Sequence, residues 1–126
     1  MAIWRGDSKE EFLSDLTSLT LRHIFSWVEL HTMRRYKKKI EVTEVYRSEK
    51  AHKELLKKLK IDYYPTPHTD GRAVDFFILG GTKNEHSALE TVICALFPYG
   101  KGRYQTALYH MGTGLHIHLQ VKSGTI

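Results

Sequence analysis

The sequence predicts an α+β domain: a small mixed, mainly antiparallel sheet with about three helices packed mostly on one face. Three observations lead there. Period-two alternation of apolar and polar residues marks strands beginning near residues 40, 72 and 115. Apolar stripes at helical spacing mark three separate segments. Turn-forming Gly, Pro and Asn residues fall between them, and 126 residues suffice for one domain with a core that needs no covalent staple.

Residues 1–7 read as an irregular lead-in. Ser8 and Glu11 have capping-box spacing ahead of a helix over residues 9–31. Leu13, Leu16, Ile24, Trp27 and Val28 form its apolar stripe, broadened by Phe12, Leu19 and His23. His23 and His31 read as surface or packing residues. A basic stretch over residues 34–39 ends the helix, and residues 40–46 alternate as a strand. Ser48 caps a second helix over residues 49–60, with Ala51, Leu55, Leu56 and Leu59 on its buried face and lysines and His52 outside. Residues 61–67 form a loop, since residues before proline avoid the helical region.

Residues 72–79 are short, β-branched and aromatic, and so predict a strand. Alternation places Ala73, Asp75 and Phe77 on one face and Val74, Phe76 and Ile78 on the other. Gly80 and Gly81 end it. Asn84 caps a helix over residues 85–97, striped by Ala88, Leu89, Val92, Ile93 and Leu96, with His86 exposed in its first turn. Residues 104–110 and 115–122 are two strands joined by a hairpin loop over residues 111–114.

Composition narrows the class. A single cysteine, Cys94, excludes an intramolecular disulfide, and its helical neighbours Ile93, Ala95 and Leu96 suit a small buried hydrophobe. The net charge of +5 and the run Arg34, Arg35, Lys37, Lys38, Lys39 attract polyanions. No nucleic-acid-binding motif accompanies them, so solvated helix faces are the expected role. No run has membrane-spanning length, and the first residues lack a signal-peptide layout. The expectation is synthesis in a cytoplasm, with no membrane segment.

Two stretches carry the chemistry. Residues 66–75, Thr-Pro-His-Thr-Asp-Gly-Arg-Ala-Val-Asp, place His68 in a proline-flanked loop and Asp75 on a strand. Residues 115–121, Leu-His-Ile-His-Leu-Gln-Val, alternate so that His116, His118 and Gln120 share one face. A carboxylate within an apolar strand needs a compensating charge, metal or hydrogen-bond donor. Imidazole and carboxylate together suit zinc, whose catalytic sites use three protein ligands and an open position. Each stretch also has a plainer reading: a strand aspartate held by backbone N–H groups or an arginine, and a His-x-His strand that is merely a solvated face.

These residues resemble a superfamily of zinc peptidases that includes D-Ala-D-Ala carboxypeptidases and dipeptidases, phage L-alanyl-D-glutamate endolysins and, more distantly, the hedgehog signalling domain. Its pattern is Ser-x-His-x-x-Gly-x-Ala-x-Asp followed by a late ligand histidine. Thr66 stands at the serine position, with His68, Gly71, Ala73 and Asp75 in register, and Tyr46-Arg47-Ser48 matches an upstream strand end. The resemblance implies Zn2+ held by His68, Asp75 and His118. It implies His116 as acid/base; His110, at the edge of the hairpin loop, is either a second acid/base beside the site or a turn residue. It also gives Arg47 and Thr66 substrate-positioning roles, the plainer reading of Arg47 being a surface ion pair with Glu44 or Glu49, while Tyr64 either lines a peptide groove or packs. The implied substrate is a peptidoglycan stem peptide, reached by lysis or from a virion.

One position departs from the pattern. Many members carry Glu or Asp three residues before the last ligand, where this chain has Leu115. A non-catalytic zinc-binding module, structural or regulatory in a phage, is therefore a second expectation. A basic nucleic-acid-binding domain, resting on charge alone, is a third.

Overall fold

The computed structural model describes residues 2–14, 17–45, 54, 56–60, 71–98, 100–112 and 114–122. Strands β1 (Ile3–Trp4), β2 (Ile40–Glu44), β3 (Ala73–Ile78), β4 (Ala107–His110) and β5 (His116–Gln120) form one sheet in the order β1-β2-β3-β5-β4. Among the named strands of the described residues only the β1–β2 pair is parallel, so the sheet is mixed and mainly antiparallel. Helices α1 (Ser8–Phe12), α2 (Leu19–Tyr36) and α3 (Lys83–Leu96) complete the described elements, with a short 3₁₀ turn at Gly102–Tyr104. The expected α+β architecture is the observed one.

Strand alternation decides where the core sits. Val42, Val74, Phe76, Ile78, Ile117 and Leu119 are buried and join Leu21, Ile24, Phe25, Val28, Leu89 and Ile93 of α2 and α3 in one cluster. The opposite face keeps Asp75, Phe77, His116 and His118 half-buried. Covering only one face of an antiparallel sheet is what alternating strands permit.

The lead-in is more regular than expected. Ile3 and Trp4 pair with Glu41 and Val42, and Trp4 meets Phe12 and Phe25 at ring-centroid distances of 5.3 and 5.4 Å. Burying a large aromatic ring supplies the driving force that polar residues 5–8 conceal in the sequence.

The helix expected over residues 9–31 is instead two helices. Ser14 Oγ and Thr17 Oγ1 both donate to the Glu11 carbonyl, and Ser18 Oγ accepts from Leu21 N at 3.3 Å. Short hydroxyl side chains compete with the helix for backbone partners, so the first helix stops and the second restarts on a serine cap. The Ser8–Glu11 capping box does not form: Asp7 is the N-cap, and Ser8 is buried inside the first turn. At its other end α2 runs past His31 to Tyr36, closed by Lys37 in the left-handed region at φ 56°.

Three smaller corrections follow. Thr82, not Asn84, caps α3, through a complete capping box with Glu85. His86 is buried at 1 % exposure rather than exposed, because both ring nitrogens serve backbone groups. The strand expected from residue 104 starts only at Ala107, after the 3₁₀ turn. Of the helix expected over residues 49–60, residues 54 and 56–58 are helical and Leu56 is buried; the remainder up to residue 53, with residue 55, lies outside the described residues, as does the loop over 61–67. Cys94 is half-buried, with Sγ 3.4 Å from the Ala107 carbonyl. No described helix is long and apolar enough to cross a membrane.

Candidate metal centre

Strand register builds the site. Asp75 on β3 lies directly opposite His118 on β5, and Glu44 on β2 lies opposite Asp75. His116 lies opposite His110 across the β4–β5 hairpin. Directly opposed residues share a face, so Glu44, Asp75 and His118 form a row across three strands on the face away from the helices. The ladder shifts between Val42 and Glu44, a bulge that re-aims the end of β2 toward this row.

Two features hold β3 in place. Gly71, at φ +67°, turns the chain into the strand where residues with a Cβ are strained, and its carbonyl accepts from Ser18 N at 2.9 Å. Arg72 then donates to the Val121 carbonyl at 2.8 Å, pinning β3 to β5 as a structural arginine.

Asp75 Oδ1 approaches His118 Nδ1 to 2.8 Å, with both side chains about five-sixths buried, at 16 % and 15 % exposure. Two ligands of one tetrahedral zinc lie roughly 3.3 Å apart, given bond lengths of about 2.0–2.1 Å. The observed pair is therefore close to ligand spacing while holding a hydrogen bond. A carboxylate and an imidazole are also donors that zinc accepts. The described pair thus offers two of the three protein donors that such an ion takes. Among the described residues no group of three or more His, Cys, Asp or Glu side chains is arranged for a metal. His68, the third expected ligand, lies outside the described residues, as do Arg47, Thr66 and Tyr64.

The two other histidines stand beside this pair. The His110 and His116 rings are 5.1 Å apart, tilted by 31°. His116 Nδ1 is 3.2 Å from the Gly114 carbonyl, an interaction that places the proton on Nδ1 and leaves the Nε2 lone pair available. Desolvation holds the His110 pKa below its ordinary value, reinforced by the charges of His116 and His118 and opposed by Asp75 and Glu90. The effect favours neutral imidazole at that position.

A cleft of about 730 Å³ opens beside Glu44 and Asp75, lined by Arg5, Thr43, Phe77 and His116 among others. Its size suits a small ligand or a few peptide residues. Arg5, at the rim, pairs with Glu41. His86 also lines the cleft but has no ring nitrogen to offer it.

Sequence reasoning missed two polar groups here. Glu44 was read only as a surface partner for Arg47, and the bulge that turns it toward Asp75 has no local sequence signal. Gln120 shares the strand parity of His118, a signal that was present, yet it received no role. Its amide oxygen lies 3.1 Å from His118 Nε2.

No protein-family model and no curated protein matches this chain.

Proposed function

We propose that the chain is a zinc-dependent peptidase hydrolysing an amide bond in peptidoglycan stem peptides, of the D-Ala-D-Ala carboxypeptidase or L-Ala-D-Glu endopeptidase type. The observation that carries the reading is the 2.8 Å approach of Asp75 Oδ1 to His118 Nδ1, with Asp75 also lining an open cleft. The spacing of His68 before Asp75, and the His-x-His strand, add the resemblance in sequence.

Asp75 and His118, with His68, would hold the ion. Bound zinc supplies Lewis acidity that polarises the scissile carbonyl and makes water a nucleophile near neutral pH. His116 Nε2 accepts the water proton and returns it to the leaving amine. His110, kept neutral by its surroundings, stands ready as a second proton carrier. Arg47 and Thr66 orient the peptide, the former through paired N–H donors to a carboxylate or developing oxyanion. Tyr64 lines the groove. A chain made in the cytoplasm would meet this substrate on lysis or from a virion.

A second reading is a zinc-bound module without hydrolytic activity. Leu115 favours it, because it occupies the position of the usual carboxylate base. Digestion of muropeptides by zinc-loaded protein, with products weighed by mass spectrometry and His68→Ala as control, separates the two. A new product that requires His68 supports the peptidase. Zinc binding with no product supports the module.

A further inference from the structure

Gln120 is a buried polar side chain, at 6 % exposure, whose every hydrogen-bonding atom has a defined partner. Its amide nitrogen donates to the Arg103 carbonyl at 2.8 Å and to the Gln105 carbonyl at 2.9 Å. Both partners are pure acceptors, so the orientation of the amide is fixed: reversing it would set oxygen against two carbonyl oxygens. Gln120 Oε1 therefore faces His118 Nε2, at 3.1 Å.

An amide oxygen only accepts, so Nε2 of His118 must carry a proton. In a neutral imidazole the lone pair then sits on Nδ1. Nδ1 faces Asp75 Oδ1 at 2.8 Å, which is also an acceptor. With a proton on it, Nδ1 donates to that carboxylate; without one, it turns its lone pair to the same point, where a metal ion would be shared by the two groups. From this network we infer that Gln120 is the positioning residue of the metal centre: it fixes His118 as the Nε2–H tautomer and so presents Nδ1, beside the Asp75 carboxylate, as the ligand atom. The inference rests on the zinc reading proposed above.

The backbone explains why the clamp is rigid. Gln120 lies two residues after His118 on β5, so both side chains leave the same face of the strand. The carbonyls that grip it come from the 3₁₀ turn and the residue after it, and Gln120 N donates to the Thr106 carbonyl at 2.9 Å. The turn before β4 thus supports an imidazole on β5. Groups of this kind set the ring orientation and tautomer of metal-bound histidines, and losing one typically weakens metal affinity by about 10- to 100-fold.

The test uses the full chain with zinc chloride alone, read by 15N NMR of the imidazole nitrogens and by competition with a chromophoric chelator. In zinc-loaded wild type, His118 should show a protonated Nε2 and a metal-shifted Nδ1. Gln120→Met keeps length and volume but loses the acceptor, and should weaken zinc binding by about 10- to 100-fold. A metal-shifted Nε2 with a protonated Nδ1 overturns the role of Gln120 and leaves the zinc reading intact. Wild-type affinity with Nδ1 ligation in Gln120→Met overturns it likewise. Wild-type protein that takes up no zinc overturns the metal reading itself, and the inference with it. Should Gln120→Met not fold, the wild-type spectrum alone decides between the two nitrogens.

Discussion

His86 Nε2 accepts the backbone N–H of Ile78 at 3.0 Å while Nδ1 donates to the Thr82 carbonyl at 2.7 Å. One buried imidazole thus ties the end of β3 to the cap of α3, and the Tyr109 ring stacks on it at 5.7 Å. His86→Ala removes the acceptor from a buried N–H and opens a cavity. The combined cost is expected to be roughly 3 kcal/mol. A lower urea midpoint with an unchanged slope checks it; an unaltered midpoint would show that the tie is dispensable.

The same corner leaves no room at Gly81. A Cβ there would lie 2.6 Å from Ile78 Cβ and 2.9 Å from His86 Cε1. Neither atom is the free end of a flexible chain, so Gly81→Ala should destabilise by about 1–3 kcal/mol. Gly112→Ala meets nothing within 4 Å and serves as the contrast, expected within about 0.5 kcal/mol of wild type. Thermal melts of the two variants side by side would separate crowding from any general loss of glycine.

These two residues also show what a sequence can disclose. Strand faces were legible, because alternation is a local property: Val74, Phe76 and Ile78 face the core and Asp75 does not. The opposition of Asp75 to His118 was anticipated only as convergence, since register depends on partners far apart in the chain. His86 looked solvent-facing because its neighbours at Asn84, Glu85 and Ser87 are polar. Its burial follows from the way α3 meets β3, which no window of residues around it encodes. The break between α1 and α2 was written in Ser14, Thr17 and Ser18, but an apolar stripe continuing through Leu13 and Leu19 masked it.

His31 supplies a pH dependence away from the site. It stacks on Trp27 at 4.7 Å, and partial burial, followed by the charge of Arg35, lowers its pKa from the ordinary 6.5. Below 6.5 the unfolded chain takes up a proton that the folded chain resists, so the unfolded state binds more protons there. Stability from this residue is complete above 6.5 and falls as pH drops through the lower folded value. Between about pH 7.5 and about pH 5.5, wild type should lose more of its urea midpoint than His31→Gln does. Parallel losses would remove His31 from the acid response.

Zinc content tests the ligand set directly. Purified protein should carry about one equivalent, as a single three-ligand site implies. Asp75→Ala and His118→Ala should each abolish stoichiometric zinc, and so should His68→Ala. Full zinc in all three variants, measured by atomic emission after dialysis, would falsify the assignment.

The division of labour between binding and proton transfer is testable at His116. It shares a strand face with His118, but its ring is turned toward His110 and the Gly114 carbonyl, whereas His118 is held between Asp75 and Gln120. A ligand and a proton carrier should therefore fail differently. His116→Ala is expected to keep its zinc and to lower kcat on a muropeptide substrate by about 10²- to 10⁴-fold, the usual worth of a positioned acid or base. The His110→Ala loss should be smaller, since His110 sits one strand further from Asp75. Single-turnover rates under zinc saturation make the comparison. Loss of zinc in His116→Ala would move this residue into the ligand set, and wild-type kcat in the zinc-loaded variant would pass the proton to another group, of which Glu44, opposite Asp75 in the cleft, is the described carboxylate best placed to take it.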